Sequence, residues 1–197
     1  MSEQTIQNDL FSNSVTILDK YECLNLGATT IGDLIVGKRI VRDKVKTAVK
    51  NKGKKPDVLI VDSSKKVVAY IEFKKPDEFD TYKKIQAAIK QEIDVARELG
   101  VKIFVATDGS KFVWINALTG LPILDEQGNK IIATIKPKTE EREIAKLIGR
   151  LEIDLSDTNN QLQLIKYSDP TNLAKKIGGL LKNIKFTTPK DSLYTFV

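Results

Sequence analysis

Asp57, Glu72 and Lys74 are the residues of this chain whose types and spacing point most directly to chemistry. They lie in "KKPDVLIVDSSKKVVAYIEFKKP", residues 54–76, where two apolar runs rich in Val and Ile flank a polar turn. That is the pattern of a β-hairpin. Side chains alternate along a strand, so Tyr70, Glu72 and Lys74 share one face of the return strand, while Ala69, Ile71 and Phe73 share the other. Lys75 falls with the second set. Pairing residues 58–62 with residues around 67–72 brings Asp57 alongside the Glu72–Lys74 end. Two carboxylates and an ammonium meeting at one sheet end suit hydrolysis of a phosphodiester. The carboxylates hold a hard cation such as Mg²⁺, with a backbone carbonyl and waters completing its shell. The cation acidifies a bound water and offsets charge in the transition state. The lysine orients that water, shares in its deprotonation or stabilises the developing charge. A plainer reading stands beside this one, with Asp57 as a turn residue and Lys74 as the partner that a carboxylate inside an apolar strand requires.

Composition narrows the choice further. None of the 197 residues is histidine. Ser-His-Asp and Cys-His nucleophilic machinery is therefore excluded, as is any imidazole-bound zinc or iron. The single cysteine, Cys23, excludes an internal disulfide and a multi-thiolate metal site. It reads as a small buried hydrophobe in a reducing compartment, which points to the cytoplasm. The N-terminal stretch has neither the basic nor the apolar region of a signal peptide. No apolar run approaches the roughly 20 residues that span a bilayer, so no membrane partner is expected. Net charge is +6 overall. Between Gly37 and Lys55 nine Lys and Arg stand against Asp43 alone, so this stretch carries +8 and the remainder −2. A basic segment running directly into Asp57 reads either as a surface facing a polyanion or as a solvated lysine-rich loop. On the first reading Lys50, Lys52, Lys54 and Lys55 contact phosphates of double-stranded DNA.

The elements that must position these residues follow from periodicity. Residues 4–26 carry apolar side chains spaced mostly by threes and fours, which predicts a helix. The stretch 29–45 is ambiguous by periodicity, a short helix followed by a strand being one reading that the adjacent Ile40 and Val41 do not decide. After the hairpin, "DTYKKIQAAIKQEIDVARELG" is an amphipathic helix with a stripe of Ile85, Ala88, Ile89, Ile93, Ala96 and Leu99. Asp80 or Thr81 can cap it, and Gly100 ends it. "VKIFVAT" and "KFVWINA" are strands around the Asp108-Gly109-Ser110 turn, with Phe112 and Trp114 read as core residues. Strand, strand, helix, strand, strand predicts an α/β fold with a mixed central sheet flanked by helices. From Thr139 the chain becomes charged and helical, then polar, then helical again. This gives two segments, a domain over 1–138 with its core at 54–116, and a helical extension or connector over 139–197. The brevity of the last apolar turn, "LYTFV", suggests a piece of a longer protein.

Pro56-Asp57, fourteen intervening residues and Glu72-Phe73-Lys74 resemble the PD-(D/E)xK nuclease signature. "IEFKKP" is similar to the corresponding strand of the endonuclease domains in type I restriction motor subunits and in fused type II restriction–modification enzymes. Those domains continue into a helix with a Gln-x-x-x-Tyr motif. Here Gln91 matches the glutamine, and Val95 stands where tyrosine is usual. A strand, a "TNG"-like turn and an aromatic strand follow, as in "VATDGSKFVWIN". The resemblance covers residues 54–116. The C-terminal "DPTNLAKKIGGLLKN" resembles, less closely, the connector ahead of adenine-specific methyltransferases. The Asn-Pro-Pro-Tyr and P-loop motifs of methyltransferase and helicase are absent from the chain.

The resemblance implies a PD-(D/E)xK fold and a Mg²⁺-dependent DNA endonuclease. Asp57, Glu72 and the Phe73 carbonyl would hold the metal, Lys74 would be catalytic, and Gln91 would support. A further acid often comes from the N-terminal helix, for which Glu22 is the candidate. The implied partners are duplex DNA and the methyltransferase, target-recognition or motor domains of a parent restriction enzyme. Two alternatives are a non-cleaving DNA-binding or docking module on the same fold, and a repair or structure-specific nuclease.

Overall fold

The computed structural model describes residues 2–11, 15–41, 52–125 and 127–156, with the backbone alone for residues 15, 16 and 137–139. Lys50 and the expected connector from residue 157 onward lie outside the described residues. Helix α1 is Glu3–Leu10, followed by strands β1 (Val15–Leu18) and β2 (Tyr21–Asn25) and the short helix α2 (Ile31–Val36). Strands β3 (Val58–Val61) and β4 (Val67–Phe73) form the hairpin read from the sequence. A 3₁₀ turn at Pro76–Glu78 leads into α3 (Tyr82–Glu98), β5 (Ile103–Thr107), β6 (Phe112–Asn116), β7 (Leu121–Pro122) and α4 (Pro137–Asp154).

The strands form one seven-stranded sheet in chain order, β1 to β7. Every neighbouring pair is antiparallel except β4 and β5, which are parallel. A parallel pair needs a crossover, and α3 provides it. The expected mixed α/β sheet flanked by helices is therefore the architecture found. Val67–Phe73 is buried along its whole length, as expected of a central strand with both faces covered. One face packs Leu59, Tyr70, Phe104 and Ile115 against Ile89, Ile93 and Ala96 of α3. Thr81 caps that helix by accepting from the Lys84 amide, while Asp80 pairs with the Lys84 ammonium at 2.9 Å. On the Phe73 side of β4, Phe11 meets Phe73 edge to face at 6.3 Å. Helix α4 lies against β1, β4 and β5 and buries Ile144, Ala145, Ile148 and Leu151. The charged segment after Thr139 thus packs on the sheet from Ile144 to Leu155.

The helix expected over residues 4–26 is a correction. Among the described residues the helix is confined to Glu3–Leu10, and residues 15–25 form the β1–β2 hairpin with Asp19 at φ 54° in its turn. The threefold spacing of Val15, Leu18, Tyr21 and Leu24 was a coincidence of a hairpin. The β-branched run Val15-Thr16-Ile17 favours extended backbone, and β2 gains a full ladder by pairing Glu22 to Asn25 with Val61 to Val58. The stretch 29–45 does contain a short helix. Thr30 and Asp33 cap it reciprocally, each side chain bonding the other's backbone amide.

Candidate active site

The site lies where β3 begins and where β4 and β5 end. The strand termini of a parallel pair are a common place for ligands, because side chains there leave the ladder and face open space. The β3–β4 register pairs Val58 with Ile71 and so carries Asp57 to the level of Glu72 and Phe73. Asp57 Oδ2 accepts a hydrogen bond from the Phe73 amide at 2.8 Å. Glu72 is buried, with Oε1 accepting from Lys74 Nζ at 2.8 Å and Oε2 accepting from the Tyr70 hydroxyl. Lys74 lies one residue beyond β4, yet its amide donates to the Thr107 carbonyl at 2.8 Å and extends the ladder to β5. That bond keeps Lys74 on the face of Glu72, and Lys75 is exposed.

Charge at this end is concentrated in little solvent. Burial, then the nearby charge of Glu72, pushes the Asp57 carboxyl up to about 7. Burial pulls the Lys74 ammonium down, but the Glu72 charge and hydrogen bond outweigh it and leave it above its ordinary value. Lys74 is therefore a cation at neutral pH, suited to orienting and charge stabilisation more than to taking up a proton. Burial, then the charges of Glu72 and Glu92, raise the Tyr70 hydroxyl well above its ordinary range, so it stays protonated and donates.

The expected supporting residues fare differently. Gln91 is exposed on α3, and the side chain that turns inward is its neighbour Glu92. Burial, then the charge of Glu72, raises the Glu92 carboxyl, while Lys54 and Lys74 act against the rise. Its carboxylate stands 3.8 Å from Lys54 Nζ. Sequence reasoning missed Glu92, although a signal was present. Position 92 falls four residues after Ala88 and four before Ala96, inside the apolar stripe, where a carboxylate has no reason to sit unless something polar faces it.

Glu22 is not brought to the site. It stands on β2 opposite Val61, at the far end of β3, and both its oxygens accept from Lys65 Nζ at 2.8 Å. The residue of the N-terminal helix whose charge acts on Asp57 and Lys74 is Glu3. The same helix contributes Gln7, a buried amide that donates to the Asp57 carbonyl at 2.9 Å and to Asn25 Oδ1 at 2.6 Å. Neither residue was legible as part of the site, because nothing local links position 3 or 7 to position 57.

Of the lysines expected to meet phosphate, Lys52, Lys54 and Lys55 are exposed. Lys52 and Lys54 are anchored through their backbones, since their carbonyls accept from Gly32 at 2.9 Å and Ile31 at 3.0 Å. Asp108 closes the β5–β6 turn by accepting from Ser110 and Lys111 amides, and Phe112 and Trp114 are core.

The donors at this end are hard oxygens, those of Asp57, Glu72 and the Phe73 backbone, which suit Mg²⁺. Burial first, and then the Glu72 charge, raises the Asp57 carboxyl, and a divalent cation between the two carboxylates would offset both effects. Among the described residues no three Cys, Asp and Glu side chains form a metal cage, and the oxygens that could hold a cation at this end are those of Asp57, Glu72 and the Phe73 carbonyl. Cys23 is buried, and burial pushes its thiol up to about 12, which removes it as a thiolate ligand. In comparisons with known proteins, no family model, no curated protein and no solved structure matches the chain.

Proposed function

We propose that this chain is the nuclease domain of a bacterial restriction–modification enzyme, a Mg²⁺-dependent endonuclease of PD-(D/E)xK type that hydrolyses phosphodiester bonds in duplex DNA. The observation that carries the reading is the convergence of Asp57, Glu72 and Lys74 at one sheet end. The Phe73 amide tethers Asp57 to β4, and the Lys74 ammonium is bonded directly to Glu72. Asp57, Glu72 and the Phe73 carbonyl would hold Mg²⁺, which when bound supplies an acidified water and charge neutralisation. Lys74 stabilises charge on the attacked phosphoryl oxygen, and Lys52, Lys54 and Lys55 position the duplex through its backbone. Sequence choice belongs to a target-recognition domain of the parent protein, beside methyltransferase or motor domains, in the cytoplasm.

The test is cleavage of plasmid DNA in Mg²⁺ by the wild type, Asp57→Ala and Lys74→Ala. Cleavage that persists unchanged in both variants would falsify the assignment of the site. A second reading, a DNA-docking module without cleavage, draws support from the Glu72 carboxylate, both of whose oxygens are already bonded within the chain. DNA binding without cleavage under any divalent metal selects that reading.

A further inference from the structure

Glu92 is buried on the face of α3 that meets the sheet, and it is used by neither the hairpin chemistry nor the resemblance. Four groups from two segments of the chain act on it. Tyr70, Glu72 and Lys74 come from β4 and its end, and Lys54 comes from the segment ahead of β3. Lys54 is the outermost. Its side chain is 46% exposed, against 9% for Glu92. Its backbone is held in register with the capped start of α2, where Ile31 donates to its carbonyl at 3.0 Å. Lys54 is thus held at its backbone by a hydrogen bond, and its ammonium stands 3.8 Å from a buried carboxylate. Two residues later Pro56 is buried and Asp57 enters the site.

We infer that Glu92 is a positioning residue that holds the Lys54 ammonium beside Asp57 and Glu72, so that Lys54 meets the phosphate undergoing reaction rather than one farther along the duplex. A lysine ammonium has three donors, so it can keep Glu92 and take a phosphate oxygen together. Lys54 is the more exposed of the two, so its ammonium is the group of the pair that solvent and a substrate can reach. Fixing the cation in advance removes the entropy of ordering a long side chain when substrate arrives. Lys55, the adjacent residue, has no such support and stands near Asp33 instead. The inference rests on the phosphodiester reading above.

The experiment compares the full chain with Glu92→Gln, Lys54→Met, Lys55→Met and the doubles Lys54→Met/Glu92→Gln and Lys55→Met/Glu92→Gln. Binding of a short fluorescent DNA duplex is measured against salt in EDTA, and cleavage of the duplex is measured in Mg²⁺. Each neutralised phosphate contact steepens the plot of log affinity against log salt by about one unit. Lys54→Met is expected to flatten the slope by about one and Glu92→Gln by a comparable amount, with kcat falling about tenfold or more in each. The Lys54/Glu92 double is expected to match the worse single, and the Lys55/Glu92 double to show the sum of its parts. A wild-type slope in Glu92→Gln, or Lys54 and Glu92 effects that add, overturns the inference. Should thermal melting show that Glu92→Gln does not fold, Lys54→Met decides alone, and a wild-type slope and kcat in it overturn the inference. Wild-type protein that binds the duplex but does not cleave it in Mg²⁺ or Mn²⁺ overturns the nuclease reading, while the slopes still decide whether Glu92 holds Lys54.

Discussion

At the scale of single residues, the site is a set of charges that burial makes costly and geometry makes useful. Asp57 is the clearest case. Its carboxyl is raised from 3.8 to about 7, first by burial and then by Glu72, so the folded protein favours its neutral form. The sign follows from linkage. A carboxyl raised on folding contributes stability that is present below about pH 4 and lost as pH rises toward 7. In EDTA, Asp57→Asn removes that loss and keeps an acceptor for the Phe73 amide. Its melting temperature is expected to exceed wild type by several degrees at pH 8 and by little at pH 4, as read by thermal unfolding. Mg²⁺ is expected to raise the wild-type melting temperature at pH 8 and to leave Asp57→Asn nearly unmoved. Lys74 is the converse. Removing its charge leaves Glu72 buried with the Tyr70 hydroxyl as its remaining donor. Lys74→Met is expected to lose about 1–3 kcal/mol in urea unfolding and to lower cleavage about 100-fold or more in a plasmid assay.

At the scale of elements, each part of the site depends on one close approach. Helix α1 reaches the site because Gly109, at φ +86°, leaves room for Ile6. A Cβ at position 109 would collide with Ile6 Cγ2. Gly109→Ala is therefore expected to destabilise the fold by about 2–3 kcal/mol, combining backbone strain with the clash. In Ile6→Ala/Gly109→Ala the clash is gone, and a double-mutant cycle by urea unfolding is expected to show a favourable coupling of about 1 kcal/mol. Equal, additive losses in that cycle would show that α1 does not depend on this approach. The elements were unevenly legible. The β3–β4 hairpin could be read because alternation, turn residues and flanking charges agreed over 20 residues of contiguous sequence. The β1–β2 hairpin was hidden because its apolar residues also fit a helical period, and only its pairing with β3 decides between the two. Gln91 and Glu92 differ by one residue, or about 100° of helix, so a motif match alone did not say which of them faces the sheet.

At the scale of the molecule, a sheet in chain order with one parallel pair has a definite consequence. The pair β4–β5 lies in the middle of the sheet, joined by α3, and the site lies at its C-terminal end. The edges are short strands, β1 on one side and the two-residue β7, ending in Pro122, on the other. Proline at an edge withholds a donor from further pairing. Hydrogen exchange is expected to be slowest in β4 and β5 and faster by orders of magnitude in β1 and β7, since central strands open only with global unfolding. Comparable rates across the sheet would contradict this order. No helix among the described residues is long and apolar enough to cross a membrane.

The sequence by itself determined the chemistry that is available. Without histidine and with one cysteine, acid–base and metal chemistry rests on carboxylates, lysine and tyrosine, and the hairpin sets Asp57 near Glu72 and Lys74 because strand alternation is a local rule. Only the tertiary structure decided what surrounds that trio. Glu3, Gln7, Lys54 and Glu92 reach the same end of the sheet from α1, the segment before β3 and α3, while Glu22 goes to the opposite end and pairs with Lys65. The reason is physical: contacts between residues far apart in the chain come from packing whole elements, and packing is specified by the core they share rather than by the residues that meet at its rim.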